Sequence, residues 1–303
     1  MTKINFDKLT KICETYGAEF TKNAPLAPFT SFRIGGPADV LVRVNGREIV
    51  GEIAAFCAEN ALPCRVIGNG SNLLVSDVGV RGVVLVFGAV FSAIGVTGEV
   101  VHAEAGASLG DFCTVARDNS LGGAEFAYGI PGSVGGAVYM NAGAFGGEIA
   151  GILQAVEYLN EDCEIEILHR ENADFSYRKS PFMQTKNIII SAEFKLTKGD
   201  KSQITAKMDD FLARRGGKQP LEFPSAGSTF KRPEGDYASR LIDVCGLKGF
   251  AVGGAAVSEK HAGFVINKGG ATCDDVLRLI DAVRERVFRE TGIALEREVE
   301  LFS

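Results

Sequence analysis

Tyr128-Gly-Ile-Pro-Gly-Ser-Val-Gly-Gly-Ala-Val-Tyr-Met-Asn-Ala-Gly-Ala-Phe-Gly-Gly147 gathers small, Cβ-poor residues into one apolar run, so the backbone itself is the surface a neighbour must touch. A second segment, Ile67-Gly-Asn-Gly-Ser-Asn-Leu-Leu74, follows the apolar run Cys64-Arg65-Val66-Ile67 and reads as a strand opening into a loop of N–H groups. Glycine permits φ > 0 there and lets a phosphate approach the main chain closely. Either segment alone reads equally well as a set of turns or as a tight packing contact. Together, with Asn69, Ser71 and Asn72 offering polar side chains beside the first loop, they fit a ligand with a diphosphate and a large ring system, a dinucleotide.

Spacing excludes two familiar alternatives. The chain has no Gly-x-x-x-x-Gly-Lys-Ser/Thr, and no Gly-x-Gly-x-x-Gly opens a helix near the start of a βαβ unit. With 303 residues and 46% hydrophobic content, the chain is long and apolar enough for two or three packed domains. A net charge of −6 argues against a nucleic-acid or anionic-membrane surface. No apolar run reaches the length of a membrane span, and Met1-Thr-Lys-Ile-Asn-Phe-Asp lacks a signal-peptide core. The expectation is a cytoplasmic protein.

Seven cysteines, at 13, 57, 64, 113, 163, 245 and 273, form an odd set with no Cys-x-x-Cys pair, and three histidines, at 102, 169 and 261, lie far apart. Zinc-ligand spacing is missing, and the cysteines read as small buried hydrophobes in a reducing compartment. No metal and no disulfide are expected. The usual general acid/base residue is also scarce, so proton transfer falls to another side chain.

Apolar periodicity alternates between helix and strand, which predicts an α/β (α+β) fold. Helices are expected over 6–16, 48–60, 204–215 and from the Thr272-x-x-Asp275 capping signal to Gly292; Ser108 caps another, to about Asp118, with Leu109, Phe112, Val115 and Ala116 on one face. The last helix carries Val276, Leu277, Ile280, Val283 and Val287 on one stripe. Strands are expected over 39–44, 64–68, 83–87, 99–105, 155–159, 164–168, 187–196, 250–257 and 263–267, with a closing strand over 294–302. Gly216-Gly217 reads as a helix stop and a domain boundary.

Six segments, in order, carry a resemblance. Thr30-Ser-Phe-Arg-Ile-Gly-Gly-Pro37, Gly68-Asn-Gly-Ser-Asn-Leu-Leu74, Gly129-Ile-Pro-Gly-Ser-Val-Gly-Gly-Ala137, Tyr177-Arg-Lys-Ser180, Gly227-Ser-Thr-Phe-Lys231 and Leu295-Glu-Arg-Glu-Val299 resemble the signature segments of the UDP-N-acetylenolpyruvoylglucosamine reductases, flavoenzymes of peptidoglycan precursor synthesis. The resemblance implies two α/β subdomains that together hold FAD, as in vanillyl-alcohol-oxidase-type flavoproteins, plus a C-terminal α/β substrate-binding domain. Their expected limits are 1–80 with 297–303, 81–218, and 219–296. The interval between Ser180 and Pro224 is short and leaves no room for the tyrosine-bearing insertion of some relatives, so the chain looks like the shorter type.

The implied activity is NADPH-dependent reduction of UDP-N-acetylglucosamine enolpyruvate to UDP-N-acetylmuramate through non-covalent FAD, by a monomer. Cofactor contacts then fall on Arg33, Ile67, Gly68, Asn69, Gly70, Ser71, Asn72, Leu73, Gly129, Ile130, Pro131, Gly132, Ser133, Gly135, Gly136, Ala137, Asn141 and Gly143, and substrate contacts on Tyr177, Lys218 and Lys231. By spacing alone Arg178 reads as a surface arginine beside Lys179, Ser228 as a turn serine, and Glu298 as part of a solvated acidic face with Glu296 and Glu300, opposite Leu295, Val299 and Leu301. The resemblance makes them catalytic. A guanidinium fork pairs with both carboxylate oxygens, a carboxyl group near a substrate carboxylate serves if protonated or bonded to the arginine, and a hydroxyl can protonate a carbanion-like carbon.

Two other readings stay open at the level of residues. One is an FAD-dependent oxidoreductase of the same flavin fold acting on an unrelated alcohol. The other is a non-catalytic flavin or sugar-nucleotide-binding protein. Bound flavin that NADPH cannot bleach fits either, and turnover of the enolpyruvyl sugar nucleotide excludes both.

Overall fold

A computed structural model of the chain describes residues 6–88 and 90–303; the stretch 1–5, read above for a leader, lies outside the described residues. The chain divides into two compact units. Unit 1 comprises the residues up to Lys22, Val40–Asn69 and Gly82–Arg214, and unit 2 comprises Asn23–Asp39, Gly70–Arg81 and Arg215–Ser303.

Unit 1 holds helices α1 (Phe6–Tyr16), α2 (Arg47–Glu59), α3 (Leu109–Asp118), α4 (Val134–Tyr139) and most of α5 (Lys201–Lys218). A four-stranded sheet runs Phe20–Pro25, Pro37–Val44, Val80–Phe87, Cys64–Ile67, with the last two parallel and Ile67 opposite Val86. A five-stranded antiparallel sheet runs Ile165–His169, Leu153–Leu159, Ile188–Lys195, Val100–Glu104, Ile94–Thr97. The apolar triplet Ile188, Ile189 and Ile190 lies in its central strand and is buried on both faces, which is why it shows no alternation. Ser108 caps α3 by accepting from the Asp111 N–H, as its sequence predicts. The buried face of α3 is Leu109, Phe112, Cys113 and Ala116, with Cys113 where Val115 was expected. Phe112 packs on Phe194, their ring centroids 4.6 Å apart.

Unit 2 holds α6 (Ala238–Val244), α7 (Cys273–Thr291) and an antiparallel sheet in the order Ser225–Ser228, Phe264–Asn267, Ala255–Val257, Ala251–Val252. The capping box of Thr272 and Asp275 starts α7, and Gly292, at φ 72°, ends it. The buried stripe is Val276, Leu279, Ile280, Val283 and Val287; Leu277 is half-buried at its margin.

Three expectations are corrected. Gly216 and Gly217 do not stop α5, which runs on to Lys218. Gln219 still donates to Arg215 O, and Pro220, which has no N–H to give, is the true terminator. The stretch 250–257 is a hairpin of two short strands turning at Gly253-Gly254. The closing strand shrinks to Glu300–Phe302, because the chain changes partner: Arg297 bridges Phe230 antiparallel, then Glu300–Phe302 runs parallel to Leu73–Val75. The alternation resets at that switch, leaving Leu301 exposed and Phe302 buried.

All seven cysteines are unbridged thiols. Burial, with the Glu125 carboxylate nearby, pushes the Cys113 thiol up to about 12. No helix among the described residues is long and apolar enough to cross a membrane.

Candidate active site

The two glycine cradles meet inside unit 1. The strand Cys64–Ile67 ends at Gly68, where a Cβ would stand 2.1 Å from Ser133 Oγ, and Asn69 Nδ2 donates to Pro131 O at 3.2 Å. Ser133 caps α4 through the Gly136 N–H. The turn 129–132 is thereby fixed beside Gly68 and Asn69, and neither stretch contains a carboxylate. With no carboxylate to repel a diphosphate, these residues fit the dinucleotide the sequence implies.

Several glycines of the long run are also required by the protein's own packing. A Cβ on Gly135 would lie 2.8 Å from Ala105 Cβ, one on Gly143 would lie 2.6 Å from Gly147 O, and one on Gly147 would lie 2.5 Å from the Phe126 ring. The run is therefore also a packing element, with the six-residue α4 at its centre, a helix the sequence reading did not assign. Gly68→Ala tests the junction of the cradles. Overpacking of this kind costs about 1–3 kcal/mol, and the variant is expected to melt earlier and retain less flavin on purification, as absorbance per folded protein would register.

Tyr177 and Arg178 form the tip of a tight turn in unit 1, closed by two main-chain hydrogen bonds between Ser176 and Lys179 (3.1 and 3.0 Å). Arg178 is in the left-handed region (φ 53°), with Nη2 donating to Gly143 O at 2.9 Å and Nη1 to Asn141 O at 3.4 Å. Its guanidinium also stands 5.0 Å from the centre of the Tyr177 ring. The sequence segment around 141–143 and the Tyr177-Arg178 motif, distant in the chain, are thus one assembly.

In unit 2, Phe32 and Ile34 are buried in the core and Arg33 (φ 55°) is exposed between them. Asn267 Nδ2 donates to Phe32 O at 3.1 Å, and Ser31 Oγ to Ser225 O at 2.7 Å. Asn267 was not singled out in the sequence, and a buried asparagine carries no pattern by which it could have been. Gly70 (φ 58°) sits so close to Phe29 O that a Cβ would be 2.0 Å away. Ser71 is half-buried beyond it, and Leu73 pairs with Glu300.

Ser228 owes its direction to a bulge. Ser225 pairs with Ile266 and Ser228 with Phe264, so one extra residue intervenes, and Gly227 takes φ 77°. Ala226, Thr229 and Phe230 are buried while Ser228 is exposed. The terminal segment lies along this strand: Glu298 N donates to Thr229 O at 2.9 Å and Lys231 N to Glu296 O at 2.8 Å. Asn72 Nδ2 donates to Glu298 O at 3.2 Å, so Asn72, Ser228 and Glu298 share one neighbourhood. Lys231 pairs with Glu296, and Lys218 is exposed at the end of α5.

Two of the three histidines are otherwise engaged. Burial, then the charges of Lys248 and Lys218, lower the His261 pKa, and its Nδ1 accepts from the Gly263 N–H. His102 Nε2 meets Ser191 Oγ at 3.1 Å, but Ser191 is buried and gives its proton to Glu157 at 2.9 Å, which is not the polarity of a nucleophile.

Residues 219–302 match the family model described as UDP-N-acetylenolpyruvoylglucosamine reductase, C-terminal domain, and residues 38–168 match an FAD binding domain. The chain is 48% identical to the UDP-N-acetylenolpyruvoylglucosamine reductase of Clostridium beijerinckii over 280 residues, 92% of each chain. It is 47% identical to that of Clostridium perfringens over 289 residues, 95% of each. The crystal structure of UDP-N-acetylenolpyruvylglucosamine reductase from Thermus caldophilus superposes with a TM-score of 0.79 at 37% identity, covering 94% of this chain and 99% of the other.

Proposed function

The chain belongs to the UDP-N-acetylenolpyruvoylglucosamine reductase family, and from this we propose that Arg178, Ser228 and Glu298 carry the reduction of UDP-N-acetylglucosamine enolpyruvate to UDP-N-acetylmuramate, in peptidoglycan precursor synthesis. FAD, when bound, supplies hydride taken from NADPH. The chain's own task is to make an electron-rich enol ether accept that hydride at C3. Negative charge then develops on the attached carboxylate, and preorganised donors at that carboxylate lower the barrier.

Arg178 provides the planar fork, its guanidinium held at two main-chain carbonyls. Ser228 Oγ gives a proton to C2, the carbon that becomes basic as the hydride arrives. The carboxyl group of Glu298 supports that charge when protonated. The observation that carries the reading is the bulge at Gly227, which leaves Ser228 exposed between buried Ala226 and Thr229, beside the Glu298 segment.

The cradles Ile67–Leu73 and Gly129–Gly143, with Arg33, take the FAD, and Tyr177, Lys218 and Lys231 take the sugar nucleotide. The family match beginning at residue 219 supports a substrate-binding domain over 219–296, with flavin subdomains over 1–80 plus 297–303 and over 81–218. We take the enzyme to act as a cytoplasmic monomer with no nucleic-acid partner; the net charge of −6 supports the last point. Steady-state turnover tests the function. NADPH consumption that requires the enolpyruvyl sugar nucleotide is expected, and consumption indifferent to it would point to the alcohol oxidoreductase reading.

A further inference from the structure

Asn141 is fully buried and adopts φ 42°, a conformation that glycine takes more easily. Its side chain bonds only to main chain in the contacts that fix it: Nδ2 donates to Ser176 O at 2.9 Å and Oδ1 accepts from Ala150 N at 2.9 Å. Its own carbonyl oxygen accepts from Arg178 Nη1. Ser176 is the first residue of the turn whose tip is Tyr177-Arg178, so one residue grips both a leg of the turn and the guanidinium at its tip. The other leg is pinned by Ser180, buried, whose Oγ donates to Tyr139 O at 2.6 Å. Both anchors come from the glycine-rich run, Tyr139 as the last residue of α4 and Asn141 two residues further on.

A buried asparagine in a left-handed position is an unfavourable choice unless its amide does something glycine cannot. Here the amide spans from Ala150 N–H to Ser176 O, tying the turn to the helical turn Ile149–Gly151 that follows the hairpin of Gly143–Ala144 and Gly147–Glu148. Gly143 supplies the second carbonyl to the same guanidinium. The direction of the Arg178 fork therefore follows the placement of residues 141–143, and the Asn141 side chain is what ties that placement to the turn.

We propose that Asn141 is a positioning residue: through its amide it fixes the orientation in which Arg178 presents its guanidinium to the substrate carboxylate. This rests on the reading of Arg178 given above. Catalytic groups must be held to within about half an ångström of their working geometry, and a displacement of about 1 Å costs up to roughly a hundredfold in rate.

Two variants of the holoenzyme, each made with and without Arg178→Ala, test the proposal. Asn141→Gly keeps the backbone conformation and deletes the amide. Asn141→Asp keeps the shape and the acceptor for Ala150 N but removes the donor to Ser176 O, and it carries the comparison if the glycine variant does not fold. Reoxidation of the bound flavin by the enolpyruvyl substrate is expected to slow by about 10- to 100-fold, more than any change in its reduction by NADPH. In the Arg178→Ala background neither variant should slow it further, because a residue that acts only through Arg178 has nothing left to position. Losses that multiply in that background, or full-rate reoxidation in the folded single variants, would overturn the proposal. An Arg178→Ala enzyme that itself reoxidises at full rate removes the reading of Arg178, and the proposal with it.

Discussion

Ser228→Ala leaves reduction by NADPH at its full rate and slows reoxidation by the enolpyruvyl substrate by about 10²- to 10⁴-fold, the usual contribution of a positioned acid. The substitution is clean in physical terms. Ser228 is exposed at a bulge, so losing its hydroxyl opens no cavity and unpairs no buried group. The melting temperature should stay where it is. A serine hydroxyl is a poor acid toward most bases, but the carbon at C2 becomes basic only as hydride arrives, so the proton is needed in the second half-reaction alone. Rapid mixing of each half-reaction separately reads this. If both remained fast in the variant, the proton comes from elsewhere and the bulge has only a structural role.

Arg178→Lys is the second large effect. It keeps the charge and removes the fork, and the expected fall in kcat is about 10²- to 10³-fold, the size of losing a preorganised donor at developing charge. A lysine also cannot reach both Asn141 O and Gly143 O at once with the planar geometry seen here, at 3.4 and 2.9 Å. Turnover and KM should be measured together. A rise in KM with kcat unchanged would mean that Arg178 holds the ground state only and does not stabilise charge developing on the carboxylate.

Much of the fold is legible because local signals and burial agree. Ser108 and Thr272 start their helices as their sequences predict, and the Ile188–Ile190 run is buried on both faces. The departures have two causes, one local and one a change of strand partner. Gly216-Gly217 stays helical because the next residues still close the turn onto Arg215, and the terminal strand breaks where its partner changes from Phe230 to Leu73. In the site, the glycine cradles are visible as composition, and Arg178, Ser228 and Glu298 only through the family motif. The bulge at Gly227 and the anchoring role of Asn141 are invisible in sequence, since each depends on what a distant strand or turn offers as a hydrogen-bond partner. The tight packing that the sequence offered as one reading of the long run is present at Gly135, Gly143 and Gly147, where Ala105, the Gly147–Glu148 strand and Phe126 leave no room for a Cβ.

The most direct test of the whole account is the visible absorption spectrum of the purified protein, followed without oxygen through addition of NADPH and then of UDP-N-acetylglucosamine enolpyruvate. The account predicts a flavin band that bleaches with the first and returns with the second. A folded protein with no flavin band that also fails to take up added FAD, or a band that NADPH bleaches and the sugar nucleotide does not restore, would contradict it.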